Sequence, residues 1–207
     1  MRQLKQTRSA RKMGAPPASG RGARGSHLIY ALILLLVAVG AILLFNRLVR
    51  LRNQVHVAWS DVDVQLQRRH DLVPMLVETV KGYAHHEQGL LERIVEERSA
   101  ALKAVSPAAR GAPETALGQG LGRLLALGEA YPDLKANGNF SQLSSQLVQV
   151  EDTLQHARRF YNGSVREYNT ALETFPTLLI ARALAFKPAE FFAAEADARA
   201  NVAVDLG

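Results

Sequence analysis

LIYALILLLVAVGAILLF, from Leu28 to Phe45, is a run of 18 residues without a charge. As a helix rising about 1.5 Å per residue it covers about 27 Å, close to the roughly 30 Å hydrocarbon core of a bilayer. Arg24 and His27 flank one end, and Arg47, Arg50 and Arg52 flank the other, where long basic side chains reach the headgroups. Gly40 would weaken a soluble helix but is common in membrane spans. The competing reading is a cleaved signal peptide, because a basic stretch precedes the run and Ala38-Val39-Gly40 resembles a small-residue cleavage site. Ile42, Leu43, Leu44 and Phe45 continue past that site, and the run is longer than the usual apolar region of about 7–15 residues. The sequence therefore predicts an uncleaved transmembrane helix over 28–45.

Outward from this span the charge is uneven. The 207-residue chain has 25 Lys and Arg against 19 Asp and Glu. Residues 1–27 hold Arg2, Lys5, Arg8, Arg11, Lys12, Arg21 and Arg24 with no acid, so the rest is nearly neutral. A nucleic-acid-binding domain carries its positive charge on the folded surface, so no nucleic-acid partner is expected. Gly14, Gly20, Gly22, Gly25, Pro16 and Pro17 make 1–27 a disordered basic tail by composition. Its seven basic residues exceed the three just beyond the span, which predicts a cytoplasmic N-terminus and an exported body. There is no cysteine, which excludes disulfides, thiolate metal sites and cysteine nucleophiles.

The body reads as helical throughout. Leu48, Leu51, Val55, Val62, Leu66, Val73, Leu76, Val80 and Tyr83 form a near-heptad stripe on a helix of about 46–84 that continues out of the span. Pro74 inside it removes one backbone bond and predicts a kink. Glu87–Val105 is a second helix with Leu91, Ile94, Val95, Ala101 and Leu102 on one side. Ser106–Pro113 reads as a turn. Glu114–Ala130 is a weaker helix, since Gly118, Gly120, Gly122 and Gly128 each cost roughly 1 kcal/mol relative to Ala. From Phe140 through Leu143, Leu147, Val150, Leu154, Ala157, Tyr161, Ser164, Tyr168 and Ala171 to Phe175, apolar or small residues alternate steps of three and four until Pro176 stops them. No segment has the period-two alternation of a strand.

These lengths predict an all-α fold: a single N-terminal transmembrane helix continuing into an elongated antiparallel helical bundle of two long and two short helices. Short connections make neighbours antiparallel. The short pair should lie against the far half of the long pair, leaving a two-helix stalk near the span. The apolar stretch Thr177–Phe186 is expected against that stalk or in the membrane interface.

Four blocks of sequence extend this reading: 46–87 (NRLVRLRNQVHVAWSDVDVQLQRRHDLVPMLVETVKGYAHHE), 131–140 (YPDLKANGNF), 157–176 (ARRFYNGSVREYNTALETFP) and 186–192 (FKPAEFF). In order, spacing and content they resemble the LemA family of bacterial membrane-anchored helical proteins. The resemblance implies one N-terminal anchor, a helical bundle over 46–193 followed by a tail over 194–207, and no established enzymatic activity.

Candidate chemistry is sparse. His85-His86-Glu87 suggests a metal corner, but adjacent helical residues diverge by about 100° and a helical zinc site wants histidines at i and i+4. Gly118-Gln119-Gly120-Leu121-Gly122 follows no strand and lacks the Gly-Lys-Ser/Thr of a phosphate loop, so a flexible or poorly helical segment is expected. Tyr161-Asn162 and Tyr168-Asn169 lie one heptad apart and either form a recognition surface or fix helix register. Arg69 interrupts the apolar stripe, and counting along equal-length antiparallel helices places it beside Glu151 and Asp152, so it either forms a partly buried ion pair with one of them or merely covers apolar surface with its stem. No catalytic residue, cofactor, metal ligand or small-molecule substrate is assigned. The leading expectation is a non-enzymatic membrane-anchored helical scaffold or adaptor that organises or recruits envelope partners, including further copies, at the bacterial cytoplasmic membrane. The alternative is a metal-dependent or catalytic membrane protein using His85, His86 and Glu87.

Overall fold

A computed structural model describes residues 21–192, with side chains from His27 onward. Among the described residues there are six α-helices and no strand: α1 (Arg21–Lys81), α2 (Gln88–Lys103), α3 (Pro107–Ala130), α4 (Pro132–Lys135), α5 (Gly138–Glu173) and α6 (Thr177–Ala183), with a 3-10 turn at His85–Glu87 before α2. The fold is all-helical, as the periodicity predicts. Of the basic tail expected over 1–27, residues 21–27 belong to α1, because extending a nucleated helix costs far less than starting one. Residues 1–20 and the tail from 194 lie outside the described residues.

The chain divides into two units, Met1–Leu43 and Leu44–Gly207. In the first, the side chains from Leu28 to Val39 are exposed, with Leu34 at 71% and Val37 at 64%. The window has a mean hydropathy of 3.1 with none of it buried. A soluble core helix of such composition would be covered by its own protein. This one presents its apolar surface outward, as a transmembrane helix does.

In the second unit α1 and α5 run antiparallel and share two apolar clusters. Leu48, Leu51, Val55, Ala58, Val62 and Leu66 of α1 pack with Leu154, Tyr161, Val165, Tyr168, Ala171 and Leu172 of α5. Farther along, Leu72, Val73, Leu76, Val77 and Val80 pack with Phe140, Leu147 and Val150, together with Leu91 and Ile94 of α2 and Leu117, Leu121 and Leu124 of α3. The α2–α3 pair therefore covers the far half of the long pair, as expected. The near half is not a bare two-helix stalk: Ala181 of α6 and Phe192 complete its cluster. The segment Thr177–Phe186 lies against the long helices, with the Phe186 ring edge-on to Phe45 at 6.1 Å.

α1 remains one helix through Pro74, and the carbonyl of His70, four residues back, is freed by the missing N–H, the lost backbone bond that the sequence predicts. Arg98 Nε of α2 donates to that oxygen at 2.9 Å. The turn expected over Ser106–Pro113 shrinks, because Pro107 takes the first helical position and the Ser106 hydroxyl caps α3 by accepting from Ala109 N at 3.2 Å. α5 begins under an Asn137 cap accepting from Phe140 N at 3.0 Å and stops at Glu173, so Phe175 falls outside the stripe and is exposed. Val95 and Leu102, placed on the inner side of α2, are also exposed. α6 ends in a Schellman arrangement, Phe186 N bonding Ala181 O and Ala185 N bonding Arg182 O. Ala185 takes the left-handed position at φ 52° that glycine usually fills.

The glycine-rich stretch is continuous helix, contrary to the flexible segment expected. Its glycines allow close packing: a Cβ on Gly128 would lie 2.8 Å from the Phe140 ring, and one on Gly120 would lie 3.0 Å from Ile94 Cγ1. Gly122 faces open space. Gly122→Ala should therefore raise stability by about 0.5–1 kcal/mol through helix propensity, whereas Gly128→Ala should lower it by about 1–3 kcal/mol through overpacking. Thermal melts of the two full-length variants, followed by circular dichroism in detergent, check the opposite signs.

Candidate functional site

Two polar constellations stand out in the helical body. The first lies between the two apolar clusters. Arg69 of α1 is 1% exposed, although Arg is almost never buried unpaired. Its Nη1 donates to Glu151 Oε1 of α5 at 2.9 Å, and its Nη2 donates to the Glu114 carboxylate of α3 and to the Glu114 carbonyl at 3.2 Å. The pairing counted from helix lengths thus holds for Glu151, while Asp152 is exposed. Glu114, itself 1% exposed, is the partner the counting missed. The signal was there: Glu114, Leu117, Leu121, Leu124 and Gly128 follow steps of three and four, which puts this carboxylate on the buried seam of α3.

Burial pushes the Glu114 carboxyl up, but the His70 hydrogen bond and the Arg69 and His70 charges outweigh it and hold the group below its ordinary value. An ionised carboxylate only accepts, so His70 Nε2 carries the proton in its 2.9 Å bond to Glu114 Oε1. His70 Nδ1 and Arg69 Nε are buried without a hydrogen-bond partner. This is a structural node in which every charged member bonds to another helix, with Glu151 part-exposed at its rim.

The second constellation joins the two Tyr-Asn pairs of α5. Asn169 pairs with both main-chain groups of one residue, donating Nδ2 to Ala189 O at 3.0 Å and accepting from Ala189 N at 2.9 Å. Asn162 does the same with Phe192, at 3.1 and 3.0 Å. Tyr168 donates its hydroxyl to Lys187 O at 3.0 Å, and Tyr161 donates to Glu190 O at 2.6 Å. Burial and the nearby Glu190 charge push the Tyr161 phenol up to about 12, so it remains a donor.

The geometry explains the heptad. Seven helical residues advance about 10.5 Å, and three extended residues advance about 10 Å. Successive Tyr-Asn pairs therefore meet every third residue of Lys187–Phe192, which is held as a strap along the helix. Of the two readings of these residues, the pairs bind main chain, and the main chain is the protein's own. Trp59 of α1 closes the far end, 5.2 Å from the Tyr161 ring and 6.1 Å from Phe192. The sequence reading marked the pairs and the FKPAEFF block separately and had no signal joining them.

The remaining candidates stay apart. His85 and His86 are exposed in the 3-10 turn, and Glu87 accepts a hydrogen bond from the Tyr131 hydroxyl at 3.3 Å. Among the described residues no three His, Asp or Glu side chains converge in a way that could hold a metal ion.

A family model described as the LemA family matches residues 58–206. Similar proteins include the magnetosome protein MamQ 2 of Paramagnetospirillum magneticum, 22% identical over 86% of this chain and 75% of the relative. MamQ of Magnetospirillum gryphiswaldense is 24% identical with the same coverage. Protein LemA of Metamycoplasma hominis is 27% identical over 76% of this chain and 72% of its own length.

Arg69→Met leaves Glu114 buried without its cation and should cost about 3–5 kcal/mol, while Arg69→Met with Glu114→Met should cost less than the single change. Chemical denaturation in detergent measures the pair. Because the folded Glu114 group titrates below its unfolded value, its contribution is complete above the ordinary carboxylate range of about 4–4.5 and disappears as pH falls through the folded value. Glu114→Gln should flatten that acid limb of the melting temperature. For the strap, Asn162→Ala with Asn169→Ala removes four hydrogen bonds at about 0.5–1.5 kcal/mol each. Limited proteolysis should then cut within 187–192 at least about tenfold faster, with helicity unchanged.

Proposed function

We propose that this chain, which belongs to the LemA family, is a non-enzymatic membrane-anchored scaffold or adaptor, one that organises or recruits envelope partners. One observation carries this reading. Every buried polar or charged side chain among the described residues, namely Arg69, His70, Glu114, Ser164 and Thr177, bonds to the protein's own chain. A catalytic site needs polar groups presented to a ligand in a concave pocket, and here they face other helices. What the body offers outward is surface on rigid helices, and what precedes it is an apolar span made for lipid. The magnetosome relatives are named for a cellular structure and not for a reaction, which fits an organising role.

In this reading 1–27 is the basic tail, 28–45 the span and 46–193 the working body, followed by a tail over 194–207. The protein sits in the bacterial cytoplasmic membrane as a single pass, with its N-terminus inside and its body exported, in keeping with the excess of basic residues before the span. Its partners are further copies or other envelope proteins.

Crosslinking in native membranes followed by mass spectrometry should return a reproducible protein partner, or a second copy, that disappears after detergent solubilisation. A full-length protein that crosslinks to nothing in the membrane would remove the scaffold reading. A C-terminal reporter active only in the cytoplasm should stay silent.

A further inference from the structure

Beside the end of the apolar run lies a cleft of about 460 Å³. It is lined by Phe45, Val49 and Arg52 of α1, Tyr168 of α5, and Leu184, Ala185, Phe186 and Lys187 beyond α6. We propose that this cleft binds the headgroup of an anionic phospholipid, its phosphate held between Arg52 and Lys187 and its upper acyl chain against Phe45, Val49, Leu184 and Phe186.

The charge pattern argues for an anion. From Leu28 to Ser60 the chain has no acid, and from Thr174 to Ala189 it has none either. These two stretches carry Arg47, Arg50 and Arg52, and Arg182 and Lys187. Among the described residues Arg52 and Lys187 have no carboxylate partner, although the unit also holds Arg110–Asp63 and Lys135–Glu129 pairs. The cleft thus presents two uncompensated cations over an apolar floor, the complement of a phosphate attached to a hydrocarbon chain.

The depth argues for a lipid. Phe45 closes the apolar run. Arg52 lies about 10 Å farther along α1 at 1.5 Å per residue, and a helical side chain leans back toward the N-terminus. The guanidinium sits 5.5 Å from the Phe186 ring, which itself meets Phe45. That brings the charge back toward the headgroup layer, several ångströms thick, outside the hydrocarbon core. Lys187 is fixed at the same end, since Tyr168 holds its carbonyl through the strap. Exposed Phe175, Leu179 and Leu184 add apolar surface on the adjoining chain. A free phosphate would gain nothing from these walls, whereas a phospholipid would.

The test uses the full-length protein reconstituted into equimolar phosphatidylcholine and phosphatidylglycerol vesicles and released for native mass spectrometry. Each cation near an anionic lipid contributes on the order of fivefold, so phosphatidylglycerol should be retained at least about tenfold over phosphatidylcholine. Arg52→Gln with Lys187→Gln should bring the ratio to about one, with helicity unchanged and only a small fall in melting temperature, since both side chains are exposed and the loss to the fold is the Arg52 contact with the Phe186 ring. Arg52→Lys should keep the preference, and so should Arg182→Gln, whose charge lies outside the lining. No preference in the natural sequence, a preference that survives the double substitution, or an equal loss with Arg182→Gln would each overturn the proposal. So would displacement of the lipid by millimolar inorganic phosphate, which would identify a free-anion site. None of these outcomes bears on whether the protein recruits partners, so the two readings fail separately.

Discussion

The Arg69 guanidinium has to be matched, and the arrangement of the helices follows from that requirement. An unpaired charge at this depth costs several kcal/mol, so α3 and α5 must each bring a carboxylate to the same level of α1. The node separates the two apolar clusters: Leu66 and Leu154 lie on one side, Leu72 and Val150 on the other. Two long antiparallel helices with heptad stripes have many nearly equivalent alignments, since a slip of seven residues again places apolar groups together. Only one alignment puts Glu151 and Glu114 opposite Arg69. The node contributes little net stability against an apolar replacement, but it penalises every other register.

Its neighbourhood shows how a local irregularity is absorbed. Pro74 would ordinarily leave a buried carbonyl bare in the middle of a long helix. Here that carbonyl belongs to His70, and Arg98 supplies the missing donor from α2. One residue of α1 thus ties to α3 through its imidazole and to α2 through its main chain. Four helices meet within one turn of α1, and a single substitution there is felt by all of them.

The span, the long helices and their pairing were legible because each rests on a periodicity or a length. Arg69 with Glu151 followed from counting along equal helices. Glu114 escaped because the four glycines that follow it in α3 argued for a weak helix, and that propensity outweighed the steps of three and four from Glu114 to Gly128 that mark its buried face. Close packing against Ile94 and Phe140 reverses that propensity, and only the tertiary structure shows it. Pro107 and Pro113 misled in a similar way: as punctuation they marked a turn, yet the first is a favoured helix start and the second is carried inside α3. The strap was invisible for a different reason. Asn162 and Phe192 lie 30 residues apart, and their bond is to main chain, which leaves no complementary side chain to notice.

That main-chain addressing has an evolutionary corollary. Asn162 and Asn169 recognise peptide groups, so the letters at Glu190 and Phe191 are free to be rewritten while the segment stays in place. Proline is tolerated at 188, where no N–H is used, and barred from 189 and 192, where one is. Adding or deleting one residue, by contrast, throws every later rung out of phase with its asparagine. Such a strip is bound more tightly to its length than to the side chains at 190 and 191, because its attachment points are main-chain groups at fixed intervals.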